Sequence, residues 1–289
     1  MSIPQNSLRP PKAPNLLVSP PEFSPRYQEQ LNNALRIYFN ELDNTFRTLL
    51  TNSDGGKFIR FPYGAFHQDG TTTLSSNITN VATTPISVAS TAAFPSSGWI
   101  LIESEIIQYT STTPTTFDGT ITRGALGTTN VAHTAGVAIS EVQGTGSATT
   151  IGTALFNNTD YSNGVYASAD FSKVYFSDPG IYNLQLSAQL LNFTTSADNV
   201  TIWLRKNGSD VSATAGIIEV NQKHGTSPGA TIAAWNYFLD VVSGDYVQLA
   251  WASDTGNSVI ATYPAGTSPV HPVSPGLIFT AQFVSALTT

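Results

Sequence analysis

The sequence predicts a mainly β protein in which an extended tail and one helix precede the strands. Seven of the first 25 residues are prolines, and no periodic apolar pattern accompanies them. Residues 25–52 then carry a heptad repeat of leucines. From Phe58 onward, β-branched and aromatic residues alternate with polar ones between short Gly, Asn, Asp and Pro turns. This last pattern indicates many short strands and almost no further helix.

The proline-rich tail, residues 1–24, is unable to build a core alone, because proline lacks a backbone donor and favours extended conformations. One interpretation, the simpler one for an isolated protein, is a disordered tail. The other, which we prefer, is a peptide that docks on a partner. Its anchors would be the apolar residues Leu16, Leu17, Val18 and Phe23.

A single amphipathic helix is predicted over residues 25–52. Ser24 suits the N-cap and Pro25 the first helical position, and the Asp54-Gly55-Gly56 break follows its end. At about 1.5 Å per residue the helix would extend about 40 Å. We expect its interface to consist of Leu31, Leu35, Tyr38, Leu42, Phe46 and Leu49.

Two partners for this helix are compatible with the heptad pattern. The helix packs on the globular part of its own chain, or it forms a stalk, a parallel coiled coil with other copies. We favour the coiled coil, because the rest of the chain predicts strands rather than a second helix. The leucine pattern does not separate a three-stranded coiled coil from a four-stranded one.

The composition excludes several classes of protein. The 289 residues are 40% apolar and only 11% charged, and none is cysteine, which excludes disulfides, thiolate nucleophiles and cysteine-zinc sites. Residues 1–60 carry seven basic and five acidic groups, whereas the remainder carries five basic and 14 acidic groups. An acidic body argues against nucleic-acid binding, which needs a basic face.

The sequence also lacks the apolar segments that membranes and secretion require. No apolar run approaches the roughly 20 residues of a membrane span. The N-terminus has no continuous apolar stretch of the kind found in signal peptides. We therefore expect a protein that is made in the cytosol and is not inserted into a membrane.

No pattern indicates a catalytic or metal centre. The histidines lack a second ligand at a persuasive zinc spacing, and His67 with Asp69 comes nearest to one. There is no Gly-x-Ser-x-Gly elbow for a hydrolase. Glu103 and Glu105 are expected to form the solvated side of one strand rather than a pair of catalytic acids. We expect neither an enzyme nor a bound cofactor.

Residues 74–143 form a separate pattern, which we name the small module. Strands are predicted around residues 99–102 and 105–109. The module contains Phe-Pro-x-x-Gly (residues 94–98), Glu-Ile-Ile-x-Tyr (residues 105–109) and Arg-Gly-x-x-Gly-Thr followed by His and Gly (residues 123–136). This combination resembles a small β module that recurs in phage structural proteins.

Residues 144–289 carry a second resemblance. The segments concerned are Gly-Ile-Tyr at 180–182, Ile-Trp-Leu-Arg-Lys-Asn-Gly at 202–208, Ser-Gly-Asp-Tyr-Val-Gln-Leu at 243–249 and the closing strand at 276–280. They are similar to the C1q/TNF-like domains of phage virion proteins. The resemblance implies a jelly-roll sandwich that assembles as a homotrimer. It also implies a trimer core with Tyr182, Trp203, Tyr246 and Trp251, as side chains of the sandwich core or of the threefold interface.

Such a domain opens with a strand that residues 63–69 of this chain resemble. Here about 75 residues separate that strand from the candidate for the next strand of the domain. We therefore expect the small module to be inserted in an early loop of the jelly-roll. The jelly-roll knob would then comprise residues 58–73 and 144–289. Surface loops tolerate such insertions because closure entropy grows only slowly with loop length.

The resemblance implies a structural protein of a phage virion. The tail would dock on other virion proteins, the stalk helices would associate in threes, and the knobs would be exposed. A host cell-surface glycan or protein is a candidate partner, with loops 221–230 and 263–272 as contacts. The alternative is a purely architectural role, as a decoration or as a tail needle or plug, without receptor binding.

Overall fold

The computed structural model describes residues 14–16, 18, 21–50 (the backbone alone for 47–50) and 61–286. The chain divides into two compact units, Met1–Pro62 and Tyr63–Thr289. We name the second unit the body. Its secondary structure is mainly β, as the sequence predicts, and its strands form antiparallel sheets.

The described residues of the first unit contain the helix α1 (Pro25–Leu50). The Ser24 hydroxyl accepts a hydrogen bond from the Tyr27 main-chain N–H at 3.4 Å, and the Ser24 carbonyl accepts one from the Gln28 N–H at 3.1 Å. The helix therefore begins with the cap that the sequence predicts. The two final residues of the predicted helix, 51–52, lie outside the described residues.

The body consists of short strands joined mostly by turns. Within its described residues the strands are β1 (Tyr63–Gln68), β2 (Thr71–Thr73), β3 (Ile86–Ser87), β4 (Gly98–Ile102), β5 (Glu105–Tyr109), β6 (Ser111–Thr113), β7 (Thr116–Asp118), β8 (Thr122–Ala125), β9 (Ala138–Gly144), β10 (Gly152–Thr153), β11 (Asn158–Asn163), β12 (Val165–Ala167), β13 (Val174–Phe176), β14 (Gly180–Asn192), β15 (Asp198–Lys206), β16 (Ser209–Asp210), β17 (Gly216–Val220), β18 (Gly229–Val241), β19 (Tyr246–Ser253), β20 (Ser258–Ala261), β21 (Gly266–Thr267), β22 (Val270–His271) and β23 (Leu277–Ser285).

Two large sheets account for most of these strands. The first sheet has the order β11-β1-β23-β14-β20-β9-β4-β5-β8, with β18 paired to β14 and β2 paired to β9. The second sheet has the order β12-β13-β19-β15-β16, with β10 paired to β19 and β17 paired to β15. Strands β3, β7 and β6 form a small sheet, and β21 pairs with β22.

The two large sheets contribute side chains to one apolar core, as in a β sandwich. Leu184 and Phe279 reach this core from the first sheet, and Ile202 and Leu249 reach it from the second. Alternation along the strands sets the burial: every second residue of β14 from Gly180 to Leu190 is buried. Period-two patterning is what a strand needs when only one of its faces meets the core.

The small module has its own core and also continues the first sheet. Its core is an apolar cluster that includes Ile86, Ile100 and Phe117. β9 pairs with β4 of the module on one side and with β20 on the other. A further apolar cluster packs across this junction: Leu101, Ile106, Val142, Leu191, Phe193, Val259 and Ala261.

Candidate functional site

One face of the first sheet points away from the sandwich core, and its part on β14, β18 and β23 lacks charged side chains except Asp240, which lies at one end of the face opposite Ile181. It lies on β14, β18 and β23, whose register aligns Gln185 with Asn236 on one side and with Thr280 on the other. We name this surface the outer face. Its side chains are Asn183, Gln185, Ser187, Gln189, Ile232, Ala234, Asn236, Phe238, Ile278, Thr280, Gln282 and Val284.

Large apolar side chains on the outer face are open to solvent. The exposed fraction is 68% for Ile232, 65% for Phe238, 41% for Ile278 and 46% for Val284. Amide side chains lie between them, and the centre of the face forms a shallow depression that includes Gln185. Protein interfaces are depleted in charged residues at their centres. The outer face therefore has the chemistry of an association surface.

The four aromatic residues assigned to the trimer core do not share one surface. Tyr182 and Trp251 are completely or almost completely buried within the single chain, with exposed fractions of 0% and 1%. Their side chains belong to the sandwich core, in which Tyr182 packs edge-on against Phe176 and Phe283. Of the two places that the resemblance implies, Tyr182 and Trp251 therefore occupy the sandwich core, and neither leaves a side-chain surface for a second copy.

The other two aromatics, Trp203 and Tyr246, are partly exposed but lie on the second sheet, away from the outer face. Trp203 donates a hydrogen bond from Nε1 to Asp210 Oδ1 at 2.7 Å. The Tyr246 ring lies 5.3 Å from that of Tyr175 and 5.1 Å from Lys173 Nζ. Both aromatic side chains thus contact neighbouring residues of their own chain.

The sequence-based reasoning missed the exposed apolar residues of the outer face. A signal was present in β18, where Ile232 and Phe238 alternate with the inward-facing Ala233 and Leu239. A strand with apolar residues on both faces indicates burial on both sides.

The predicted anchors of the tail are exposed where the structure describes them. Leu16, Val18 and Phe23 have exposed fractions of 52%, 93% and 84%, whereas Leu17 lies outside the described residues. In α1, the predicted interface residues Leu31, Leu35, Tyr38 and Leu42 are partly exposed and Phe46 is exposed. The side chain of Leu49 lies outside the described residues. The roles of these residues stay predictions.

The two loops proposed as receptor contacts lead into strands of the first sheet near the same end of β14. β18, which follows loop 221–230, begins opposite Asn192, and β23, which follows loop 263–272, begins opposite Ala188. The second loop contains the β21–β22 hairpin, where Val270 is 87% exposed. Tyr263, His271 and Pro275 line an open groove beside the hairpin.

A buried ionic network lies within the small module, contrary to the expectation for Glu103 and Glu105. Glu103 lies in the turn between β4 and β5 with a positive φ of 53°, and Glu105 is fully buried. Arg123 donates hydrogen bonds from Nε and Nη2 to the two carboxylate oxygens of Glu105, each at 2.7 Å. The two acids therefore do not form the solvated side of one strand.

His133 completes this network. Its Nε2 lies 2.9 Å from Glu105 Oε2 and its Nδ1 lies 2.7 Å from Glu103 Oε2. Burial alone would raise the pKa of Glu105, but hydrogen bonds from Arg123, the Val131 main chain and His133 outweigh it and lower the pKa. Because donors surround the Glu105 carboxylate, it is suited to holding the fold rather than to acting on a substrate.

The network gives a physical reason for the sequence pattern of the module. Glu105 and Tyr109 come from its Glu-Ile-Ile-x-Tyr segment, whereas Arg123 and His133 come from its Arg-Gly segment. The Tyr109 hydroxyl donates to the Pro95 carbonyl at 2.9 Å, which ties in the Phe-Pro-x-x-Gly segment. Motif residues distant in sequence thus contact one another inside the module.

His67 also lies between two carboxylates, at the edge of the outer face. Its Nδ1 is 3.0 Å from Asp160 Oδ2, and its Nε2 is 3.3 Å from Asp69 Oδ2. Among the residues that the structure describes, no group of histidine, cysteine, aspartate and glutamate side chains has the arrangement of a metal site. The geometry of His67 is that of two local side-chain contacts with carboxylates.

Comparison with known proteins adds no assignment: no protein-family model and no curated protein matches the chain. In the described part of the chain, no helix combines the length and the apolar character needed to cross a membrane. The outer face remains the surface whose chemistry most directly suggests a role.

Proposed function

We propose that the chain is a structural protein of a phage virion that assembles as a homotrimer. In this proposal the body is a jelly-roll whose copies associate through the outer face. The helices α1 form a parallel coiled coil, and the tail docks on other virion proteins. The observation that carries the proposal is the outer face, uncharged apart from Asp240 at its end, with its exposed Ile232, Phe238, Ile278 and Val284.

The outer face supports association because burying it requires little desolvation of charge. Apolar side chains gain free energy when they leave water, and the amides between them can hydrogen-bond to a partner. A monomer that kept these side chains exposed would carry an apolar patch of the kind that marks interaction sites. A second copy of the chain is the simplest partner, because burial of the face then requires no other protein.

The described part of α1 supports a coiled coil in a different way. Leu35 and Leu42 lie seven residues apart, and Leu31 and Tyr38 occupy the complementary positions. Such a repeat keeps one seam facing a partner along the helix. Side chains that remain partly exposed along this seam are available to copies of the same helix.

The proposal places the protein on the particle, after synthesis in the host cytoplasm. Loops 221–230 and 263–272 would then contact a host cell-surface glycan or protein. Three weak sites on one trimer gain affinity for a repetitive surface because binding of the first raises the effective concentration of the others.

The test is the composition of purified virions of the phage that encodes the chain. Mass spectrometry should find the chain in the particles at a copy number divisible by three, and labelled antibody should locate it on their surface. Its absence from purified particles would contradict the proposal. Addition of the full-length soluble protein should also reduce adsorption of virions to host cells; unchanged adsorption at saturation would favour the purely architectural role.

A further inference from the structure

Glu141 is a buried acid at the junction between the small module and the sandwich. It lies on β9 with an exposed fraction of 2%, opposite Ile100 of the module. On the other side its main-chain N–H donates to the Gly70 carbonyl at 2.8 Å, and its carbonyl accepts from the Thr262 N–H at 3.1 Å. The main chain of Glu141 is thus hydrogen-bonded to segments outside the module, while β4 of the module lies beside it on the other side.

The surroundings of the Glu141 carboxyl contain no compensating positive charge. Asn157 Nδ2 donates to Glu141 Oε2 at 3.0 Å and to the Ala93 carbonyl at 2.8 Å. The titratable groups that face the carboxyl are Asp69, which follows β1, and Tyr109 of β5. β4 contributes the apolar Ile100, and the segment before β11 contributes the neutral Asn157. An ionised Glu141 would therefore be an unpaired buried charge.

Gln68 supplies the observation that points to a proton. Its side chain is fully buried, and neither Nε2 nor Oε1 makes a hydrogen bond. The amide lies close enough to Glu141 to affect the pKa of the carboxyl. A protonated carboxyl complements such an amide, because its O–H donates to Oε1 while its other oxygen accepts from Nε2. A carboxylate, which only accepts, leaves Oε1 without a donor.

We propose that Glu141 is a proton-dependent latch, which carries a proton while the small module is closed on the sandwich and opens the junction when the proton is lost. This role is independent of the virion assignment. Burial raises the pKa of Glu141 to about 8; the neighbouring Gln68 amide opposes this rise, and the negative charge of Asp69 adds to it.

The sign of the pH effect follows from proton linkage. When the junction opens, the carboxyl returns to its ordinary pKa of 4.5. Between pH 4.5 and about 8 the closed form therefore binds more protons than the open form, and rising pH favours opening. The opening equilibrium should increase by up to about tenfold per pH unit in this window and level off above it.

Hydrogen exchange of the full-length protein tests the latch. The amides of β9 and β20 should lose protection as the pH rises through the window, after correction for the intrinsic exchange rate. Glu141→Gln keeps the shape of the neutral acid and should make this protection independent of pH. Glu219→Gln removes an exposed carboxylate of β17 and should behave as the wild type. Identical pH profiles for the wild type and Glu141→Gln would overturn the proposal.

Infrared spectroscopy of the wild-type protein provides a readout that does not depend on the variant folding. At neutral pH, at which ordinary carboxyl groups are ionised, a carbonyl band of a protonated carboxyl should be present and should disappear on alkaline titration. Absence of that band at neutral pH would also overturn the proposal, because Glu141 would then be ionised in the closed junction.

Discussion

Glu105 links segments of the small module that are distant in sequence. Its carboxylate accepts hydrogen bonds from the Arg123 side chain and from the Gly124 and Val131 main-chain N–H groups. Arg123 also donates from Nη1 to the Thr79 carbonyl at 2.6 Å. Removal of the arginine would leave a buried carboxylate without its cation and several carbonyls without donors. The stability of the module therefore depends on this pair.

Arg123→Met should lower the free energy of unfolding by about 3–5 kcal/mol, because breaking a buried pair leaves an uncompensated charge. Urea denaturation of the full chain, followed by tryptophan fluorescence, measures the loss. The matched control is Arg205→Met, which removes an exposed ion pair with Asp210 and should change the stability much less. Equal losses for the two variants would contradict the structural role of the network.

The pH dependence of this difference has a definite sign. The pKa of Glu105 is lowered in the folded protein. The stabilisation that its ionised form provides is therefore complete above the ordinary pKa of 4.5, and it is lost as the pH falls through the lowered pKa of the folded protein. The difference in free energy of unfolding between the wild type and Arg123→Met should therefore become smaller at acidic pH. The pKa of Glu141 is raised instead, so its ionisation favours opening of the junction as the pH rises.

At the level of secondary-structure elements, α1 combines a defined start with a partly exposed leucine seam. Residues of the predicted seam, such as Leu35 and Leu42, are partly exposed, whereas Ile37 and Phe39, which lie off it, have exposed fractions of 51% and 58%. In the proposed coiled coil the seam is buried between copies, and the other side chains remain in water.

Leu42→Asp tests whether α1 associates with copies of itself. The substitution would place a charge in the seam, and burial of an unpaired charge costs several kcal/mol per chain. Assembly measured by sedimentation should weaken, while the fluorescence of the folded body should stay unchanged. Ile37→Asp is the control, because it introduces the same charge off the seam. Unchanged assembly of Leu42→Asp would show that the helix is buried in another way.

The elements were predictable from sequence where the signal is local. The N-cap at Ser24 and the strand alternation around β14 depend on neighbouring residues, and the structure has both. The burial of Glu105 was not predictable in this way, because its partners Arg123 and His133 lie 18 and 28 residues further along the chain. A period-two pattern identifies two faces of a strand but not what covers each of them.

At the level of the whole molecule, the proposed assembly depends on whether a second copy covers the outer face. The sequence predicted a mainly β fold but left four aromatic residues between the sandwich core and the contact between copies, and two of them fill the core of a single chain. A sequence pattern alone does not distinguish a side chain buried in its own core from one buried by a neighbour, since both positions favour large apolar residues. The three-dimensional register of β14, β18 and β23 makes that distinction.

Sedimentation equilibrium of the full-length protein at micromolar concentration is the most direct test of association through the outer face. Ile232→Asp places a charge on that face, whereas Ile217→Asp changes a similarly exposed isoleucine of β17 in the second sheet; their exposed fractions are 68% and 73%. The wild type and Ile217→Asp should be trimers, and Ile232→Asp should dissociate to folded monomers. A folded wild-type monomer, or a trimer that Ile232→Asp leaves intact, would contradict the account.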